Sequence, residues 1–202
     1  MSLSFLWAQS DPKATNIMNT SKQKFGALKD ISSSFKYSLE NKNLKEGNLS
    51  RTGTIKMKGK KYRISFSEQE VICDAINIWV IMKSEKEVNI SQYDPEESLS
   101  IDRLYKIYET ETKARFDKDE IIGGNTYNKI SLFALNKSTD YSRVELWVNK
   151  KNSFIERAAI FQKNGAIIRY ELTNLKTDAG IPDTEFVFSK ASWPGYEVID
   201  LR

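Results

Sequence analysis

The sequence contains no histidine and a single cysteine, Cys73. Without an imidazole there is no Ser-His-Asp or Cys-His nucleophile, no His-ligated zinc and no imidazole acid–base chemistry. One cysteine excludes an internal disulfide and a cysteine-based metal site. Charge of one sign is also scarce. Lys plus Arg number 31 against 27 Asp plus Glu, a net charge of +4 that does not demand a polyanionic partner. No internal repeat of fixed period and no low-complexity tract breaks the chain. No G-x-S-x-G motif is present, and Gly123-Gly124 reads as a hairpin turn, since no helix follows it to form a phosphate loop.

What remains is a globular sequence of 202 residues, 40% hydrophobic and 29% charged, which excludes wholesale disorder. The length suits one domain with a sizeable core. At the N-terminus, Leu3-Ser4-Phe5-Leu6-Trp7-Ala8 is apolar and gives way abruptly to Gln9-Ser10-Asp11-Pro12. The run is too short to span a bilayer. Its apolar-to-polar edge and small residue fit the tail of a secretory signal cleaved near Ala8, with Met1-Ser2 as added residues. A short apolar arm is the plainer alternative. On the signal reading, residues 1–8 are a remnant, residues 9–202 form a single domain, and the protein is exported.

Ser10 or Asp11 is placed to cap a helix with Pro12 at its first position. Ile17, Ser21, Phe25 and Leu28, with Met18 beside them, share one face of that helix. From Ile31 the period changes to two. Phe35, Tyr37 and Leu39 alternate with polar residues, as do Ile55 and Met57, then Tyr62, Ile64 and Phe66. Val71–Cys73 and Ile76–Met82 are nearly continuous apolar runs around Trp79. A short strand at Val88–Ile90 and longer ones at 125–135, 142–148, 154–161 and 166–175 follow, joined by turn-like links such as Asn164-Gly165. One segment departs from this rhythm. Ile101, Leu104, Tyr105 and Tyr108 share a helical face, with Ser98 or Ser100 as cap. About ten sequential antiparallel strands require a barrel or stacked sheets. Two amphipathic helices are too few for a layer and enough to cover one opening.

Three kinds of chemistry compete with plain packing. The carboxylates at Asp94-Pro95-Glu96-Glu97 and Asp117-Lys118-Asp119-Glu120 read as lying in or beside turns with nothing apolar to raise a pKa, so solvated charge outweighs a glycosidase pair. Lys56, Lys58, Lys60, Lys61 and Arg63 alternate with Ile55, Met57 and Tyr62, so the cations and the aromatics fall on different faces. That is the wet side of a half-buried strand and not a nucleic-acid stacking platform. Cys73, in an apolar strand, reads as a buried inert thiol. The remaining feature is the set of apolar faces. Phe35, Tyr37, Ile55, Met57, Tyr62, Ile64, Phe66, Trp79, Leu132, Val144, Leu146 and Val148 can all point inward. In a closed small barrel they are core; in an incompletely closed one they line an acyl-chain cavity.

Several stretches resemble LolA-type outer-membrane lipoprotein carriers, in the form found in Bacteroidetes. Ile31-Ser32-Ser33-Ser34-Phe35 after the opening helix is similar to the family's start. Gly53-Thr54-Ile55-Lys56-Met57-Lys58-Gly59 and Lys61-Tyr62-Arg63 are similar to its second and third strands. Val71–Trp79 resembles its D-G-x-x-x-W hairpin, with Ala75 in place of the usual Gly. The ending, Trp193-Pro194-Gly195-Tyr196-Glu197-Val198-Ile199-Asp200-Leu201-Arg202, is the most specific piece. The resemblance implies a mostly β, strongly curved, incompletely closed antiparallel barrel with amphipathic helices over its concave face. It implies a monomeric, non-enzymatic periplasmic carrier without cofactors. Such a carrier takes acylated lipoproteins from an inner-membrane ABC transporter, shields their acyl chains and hands them to the outer membrane or a receptor there. A lipoprotein-sensing or lipid-binding module of the same fold is the runner-up. On this view the inward residues from Phe35 to Leu146 line the cavity, and Ile101, Leu104, Tyr105 and Tyr108 form the lid. Many members carry Arg-Pro after the second strand. Here Lys58-Gly59 stands there, making Lys58, without the guanidinium fork, the candidate lid latch.

Overall fold

The structure is a computed structural model that describes residues 11–41, 49–95 and 101–202, and of residues 101–103 the backbone alone. The N-terminal segment 1–8, the helix caps Ser98 and Ser100, the carboxylates Glu96 and Glu97, and the side chain of Ile101 lie outside the described residues.

Helix α1 (Pro12–Gly26) begins as its sequence dictates. Asp11 is extended, and its carboxylate accepts the Lys13 N–H at 2.8 Å with Pro12 next to it. Met18 and Ser21 are buried together with Ala14, and Ile17 and Phe25 pack against the same core, so the inner face is the expected one as far as Phe25; the helix ends at Gly26, before Leu28. The strands are β1 (Ile31–Asn41), β2 (Leu49–Lys58), β3 (Lys61–Ser65), β4 (Gln69–Cys73), β5 (Asn77–Met82) and β6 (Glu87–Gln92). Helix α2 (Ile101–Lys106) passes directly into a π-helical turn (Ile107–Glu111). Then come β7 (Thr112–Ile122), β8 (Asn125–Ala134), β9 (Tyr141–Asn149), β10 (Ile155–Gln162), β11 (Ala166–Thr177) and β12 (Glu197–Asp200). Two short 3-10 turns, Asp183–Phe186 and Lys190–Ser192, lie between the last two strands.

The twelve strands follow the order β12-β6-β5-β4-β3-β2-β1-β11-β10-β9-β8-β7, and with few helices this is the mostly β, antiparallel fold class that the resemblance implies. Two elements depart from the sequence reading. β7 occupies a stretch where no strand was expected, and the Asp117–Glu120 carboxylates lie within it instead of in a turn. β12 pairs in parallel with β6, Val198 opposite Val88, so the sheet is not a pure antiparallel meander.

The chain forms two compact units. Among the described residues, one comprises 11–27, 38–41, 49 and 101–171, the other 28–37, 50–95 and 172–202. In the first unit, α1 and α2 lie on β7–β10. Ala14 and Met18 pack with Tyr105, Tyr108, Ile130, Leu132, Val144, Leu146 and Val148. Asp11 also closes the edge of β7. Its N–H donates to the Ala114 carbonyl at 2.9 Å and its carboxylate accepts the Phe116 N–H at 3.0 Å, occupying edge groups that would otherwise invite a further strand. Those two N–H donors, Phe116 first and then Lys13, hold the Asp11 carboxyl below its ordinary range. In the second unit, Ile72, Ile81 and Val88 are covered by Trp79, Phe188, Trp193, Tyr196 and Val198.

Candidate functional site

The register of the second unit sorts its residues between two sheet faces, because directly opposed residues share a face. Ile55 opposes Ile64 and Met57 opposes Tyr62; Ile64 opposes Val71, and Tyr62 opposes Cys73. Val71 and Cys73 in turn oppose Val80 and Ile78. These residues form one continuous apolar face. Phe35 joins it over Gly53, where a Cβ would lie 2.9 Å from its ring and 2.3 Å from the Ser65 carbonyl oxygen. Phe66 meets Phe35 edge-on with ring centroids 5.1 Å apart. Tyr37, two residues on from Phe35, has the same parity. Glycine at 53 is thus a packing requirement: it gives the Phe35 ring its seat. Burial pushes the Tyr62 hydroxyl well above the usual phenol range and the Cys73 thiol above its ordinary value.

The structure brings Phe35, Tyr37, Ile55, Met57, Tyr62, Ile64 and Phe66 together on this face. Trp79 is not among them. It opposes Ile72, which opposes Arg63, and therefore sits on the reverse face. There its ring stacks on Phe188 at 5.7 Å. β4 and β5 carry apolar residues on both sides, which is why their sequences run without alternation.

On the same reverse face, the basic stretch of β2 and β3 is paired with acidic residues. Lys56 binds Glu185 at 2.8 Å, Lys61 binds Asp183 at 3.0 Å, and Arg63 binds Glu70. Lys58 donates to the Ile181 carbonyl at 3.0 Å and lies 2.7 Å from Asp183. Lys58 therefore holds the segment after β11. The lysines hold both acids below their ordinary values, Lys58 foremost for Asp183 and Lys56 for Glu185.

Leu132, Val144 and Leu146 lie in the first unit, together with the expected lid. Leu132 opposes Val144, and Ile130 opposes Leu146. Tyr105 and Tyr108 are buried against this row, and Leu104 packs at its margin. Polar contacts fasten α2 and the π turn to α1. Tyr105 shares a buried hydrogen bond of 2.7 Å with Ser21, and Lys22 pairs with Glu109. The π turn lets Thr112 Oγ1 reach the Ile107 carbonyl at 3.1 Å as the helix becomes β7.

The carboxylates of β7 are all engaged. Asp117 pairs with Arg115 at 2.8 Å and accepts from Ser131, Asp119 pairs with Lys150 at 2.7 Å, and Glu120 accepts from the Trp147 indole at 3.1 Å. Asp117 and Glu120 thus belong to a salt-bridged outer face, with Arg143 over Phe161 and Lys129 over Trp147, whereas Asp119, opposite Asn128 after the register shift, lies on the other side of the sheet. Sequence reasoning missed two buried carboxylates among the described residues, Glu70, which pairs with Arg63, and Asp30. Asp30 is the one bound by backbone alone among the described contacts. Its carboxylate accepts the N–H groups of Ala179, Gly180 and Ile181 at 2.8, 3.0 and 3.1 Å. No local signal marks it, because its partners are remote in the sequence.

Against known proteins, the family model described as "Outer membrane lipoprotein carrier protein LolA" matches residues 28–189. No curated protein matches the chain. Among solved structures, an uncharacterized conserved protein from Thermus thermophilus is similar over 93% of this chain and 99% of its own, with TM-score 0.62 and 8% identity. The Mycobacterium tuberculosis lipoprotein LppX is similar over 86% of this chain and 99% of its own, with TM-score 0.56 and 13% identity. At such identities these two structures share the fold alone. The family match spans most of the chain, and the chain belongs to the LolA family of outer membrane lipoprotein carrier proteins.

Proposed function

We propose that the protein is a periplasmic carrier that shields the acyl chains of lipoproteins and moves them from the inner to the outer membrane. The observation that carries this reading is the apolar face of the second unit, running from Phe35 across Ile55, Met57, Tyr62 and Ile64 to Val80. Each methylene taken from water onto such a face gains about 0.8 kcal/mol, so a long acyl chain leaves a membrane only for a surface of this kind. Leu104, Tyr105 and Tyr108 serve as lid surface. Their anchorage through Ser21 and Glu109 makes α1 and α2 move together when the lid opens. The partners are acylated lipoproteins, an ABC transporter that loads them and a receptor or membrane that accepts them. No covalent step is involved, and the protein acts as a monomer.

The test is displacement of a fluorescent acyl probe by a synthetic acylated lipopeptide and by its unacylated twin. The carrier reading requires displacement by the acylated peptide alone. Leu104→Glu weakens the binding while leaving the sheet folded, as judged by circular dichroism. Absence of probe binding, or equal action of both peptides, refutes the reading.

A further inference from the structure

The apolar face of the second unit does not continue to the edge of its sheet. At β6 the sidedness of the strand inverts. Val88 is buried on the reverse face against Ile81, whereas Glu87, Asn89 and Ser91 point to the apolar side. The register places Asn89 beside Val80, Ser91 beside Ile78, and Glu87 beside Met82. The row Ile55–Ile64–Val71–Val80 is thus interrupted at Asn89 by a hydrogen-bonding strand, with Ile199 of the edge strand β12 beyond it. Beyond it, Glu197 of β12 lies beside Glu87 and is exposed. Asn89 donates to Glu87 at 2.8 Å, and among the described residues neither Glu87 nor Glu197 forms an ion pair. From β2 to β6 is four inter-strand steps, about 19 Å at the usual spacing, comparable with an extended long acyl chain.

We infer that this face takes an amphipathic ligand in one orientation: the acyl chain lies across β2–β5, and a head group bearing N–H donors meets Glu87, Asn89 and Ser91 on β6. The inference rests on the carrier reading and adds polarity and head-group chemistry to it. Carboxylate and amide oxygens, with a serine hydroxyl, form an acceptor-rich rim. An ammonium or amide head gains charge-assisted or neutral hydrogen bonds there. A carboxylate head meets Glu87 and Glu197 as like charges and is repelled. A cargo whose acyl chains hang from a nitrogen-bearing peptide terminus fits this rim, and a free fatty acid does not.

The experiment uses N-phenyl-1-naphthylamine, an apolar reporter, displaced by hexadecylamine, hexadecanamide or hexadecanoic acid below their micelle concentrations at fixed ionic strength. The amine is expected to compete about tenfold better than the acid, with the amide between them. Glu87→Gln reduces that ratio to about twofold, and Glu197→Gln reduces it further. Glu85→Gln, in the exposed turn before β6, leaves it unchanged and controls for net charge. Equal displacement by all three heads, or an unchanged ratio in Glu87→Gln, overturns the inference while leaving the carrier reading intact. If the reporter does not bind the unaltered protein, the carrier reading fails and the inference with it.

Discussion

Replacing Asp30 tests how the segment after β11 is held. The carboxylate is buried, 4% exposed, and accepts backbone N–H groups of Ala179, Gly180 and Ile181 at 2.8–3.1 Å. Two further bonds tie the same stretches of chain together. The Asp178 N–H donates to the Asp30 carbonyl at 2.9 Å, and the Lys29 N–H donates to the Asp178 carboxylate at 2.7 Å. A hydrogen bond to a charged group contributes about 1.5–3 kcal/mol, and bonds sharing one acceptor do not add fully. Asp30→Ala therefore costs about 3 kcal/mol, and Asp30→Asn, which keeps one acceptor oxygen, about half that. For a chain of this size each kcal/mol moves the midpoint by about 2–4 °C, so the alanine variant melts roughly 6–12 °C lower. Thermal melting by circular dichroism measures the shift. Hydrogen exchange localises it, with the amides of residues 179–181 losing protection first. A drop below about 2 °C in Asp30→Ala, or an asparagine variant no better than alanine, would refute the account of Asp30 as a charged clamp.

Other positions give further expectations. Gly53→Ala drives a methyl toward the Ser65 carbonyl and the Phe35 ring; a loss of about 1–3 kcal/mol in urea unfolding is expected, together with weaker acyl-probe binding as Phe35 is displaced. Ala75 sits at φ +75° in the hairpin where the family usually has glycine; Ala75→Gly relieves that strain and stabilises the protein by about 1 kcal/mol, read as a higher urea midpoint. Asp183 and Glu185, both depressed by lysines, contribute stability that is complete above their ordinary carboxylate values and is lost as pH falls through the depressed ones. Acid titration should therefore loosen residues 181–186 only below the ordinary carboxylate range, seen as amide shifts there, and Lys58→Met should reduce the Asp183 share, leaving the part held by Lys61.

The legible parts of the fold share a cause: one face of the strand is wet. In β2 and β3 the lysines and Arg63 alternate with Ile55, Met57, Tyr62 and Ile64, so parity alone assigns the apolar face. β4 and β5 are covered on both sides and parity carries no information there, so Trp79, expected to point inward, lies on the reverse face. β7 was hidden because its outer side is ion-paired and its register shifts between Phe116 and Lys118, which breaks the period. β12 is short and exists through its pairing with β6, a partner far away in the sequence. Helix α1 was legible at its start, where Asp11 and Pro12 act locally, and along its inner face through Ile17, Met18, Ser21 and Phe25, and less so at its end, where the helix stops at Gly26 short of Leu28.

The covering of Ile72, Ile81 and Trp79 by Phe188, Trp193, Tyr196 and Val198 has a consequence for biogenesis. The covering residues leave the ribosome long after the strands they cover. Until they arrive, β4–β6 present an apolar surface on the very side that the finished protein keeps sealed. A nascent chain of this design carries two greasy faces on these strands where the mature one has covered the reverse one. Holding chaperones therefore have most to protect just before residues 188–198 emerge, and a ribosome stalled there would leave an aggregation-prone sheet.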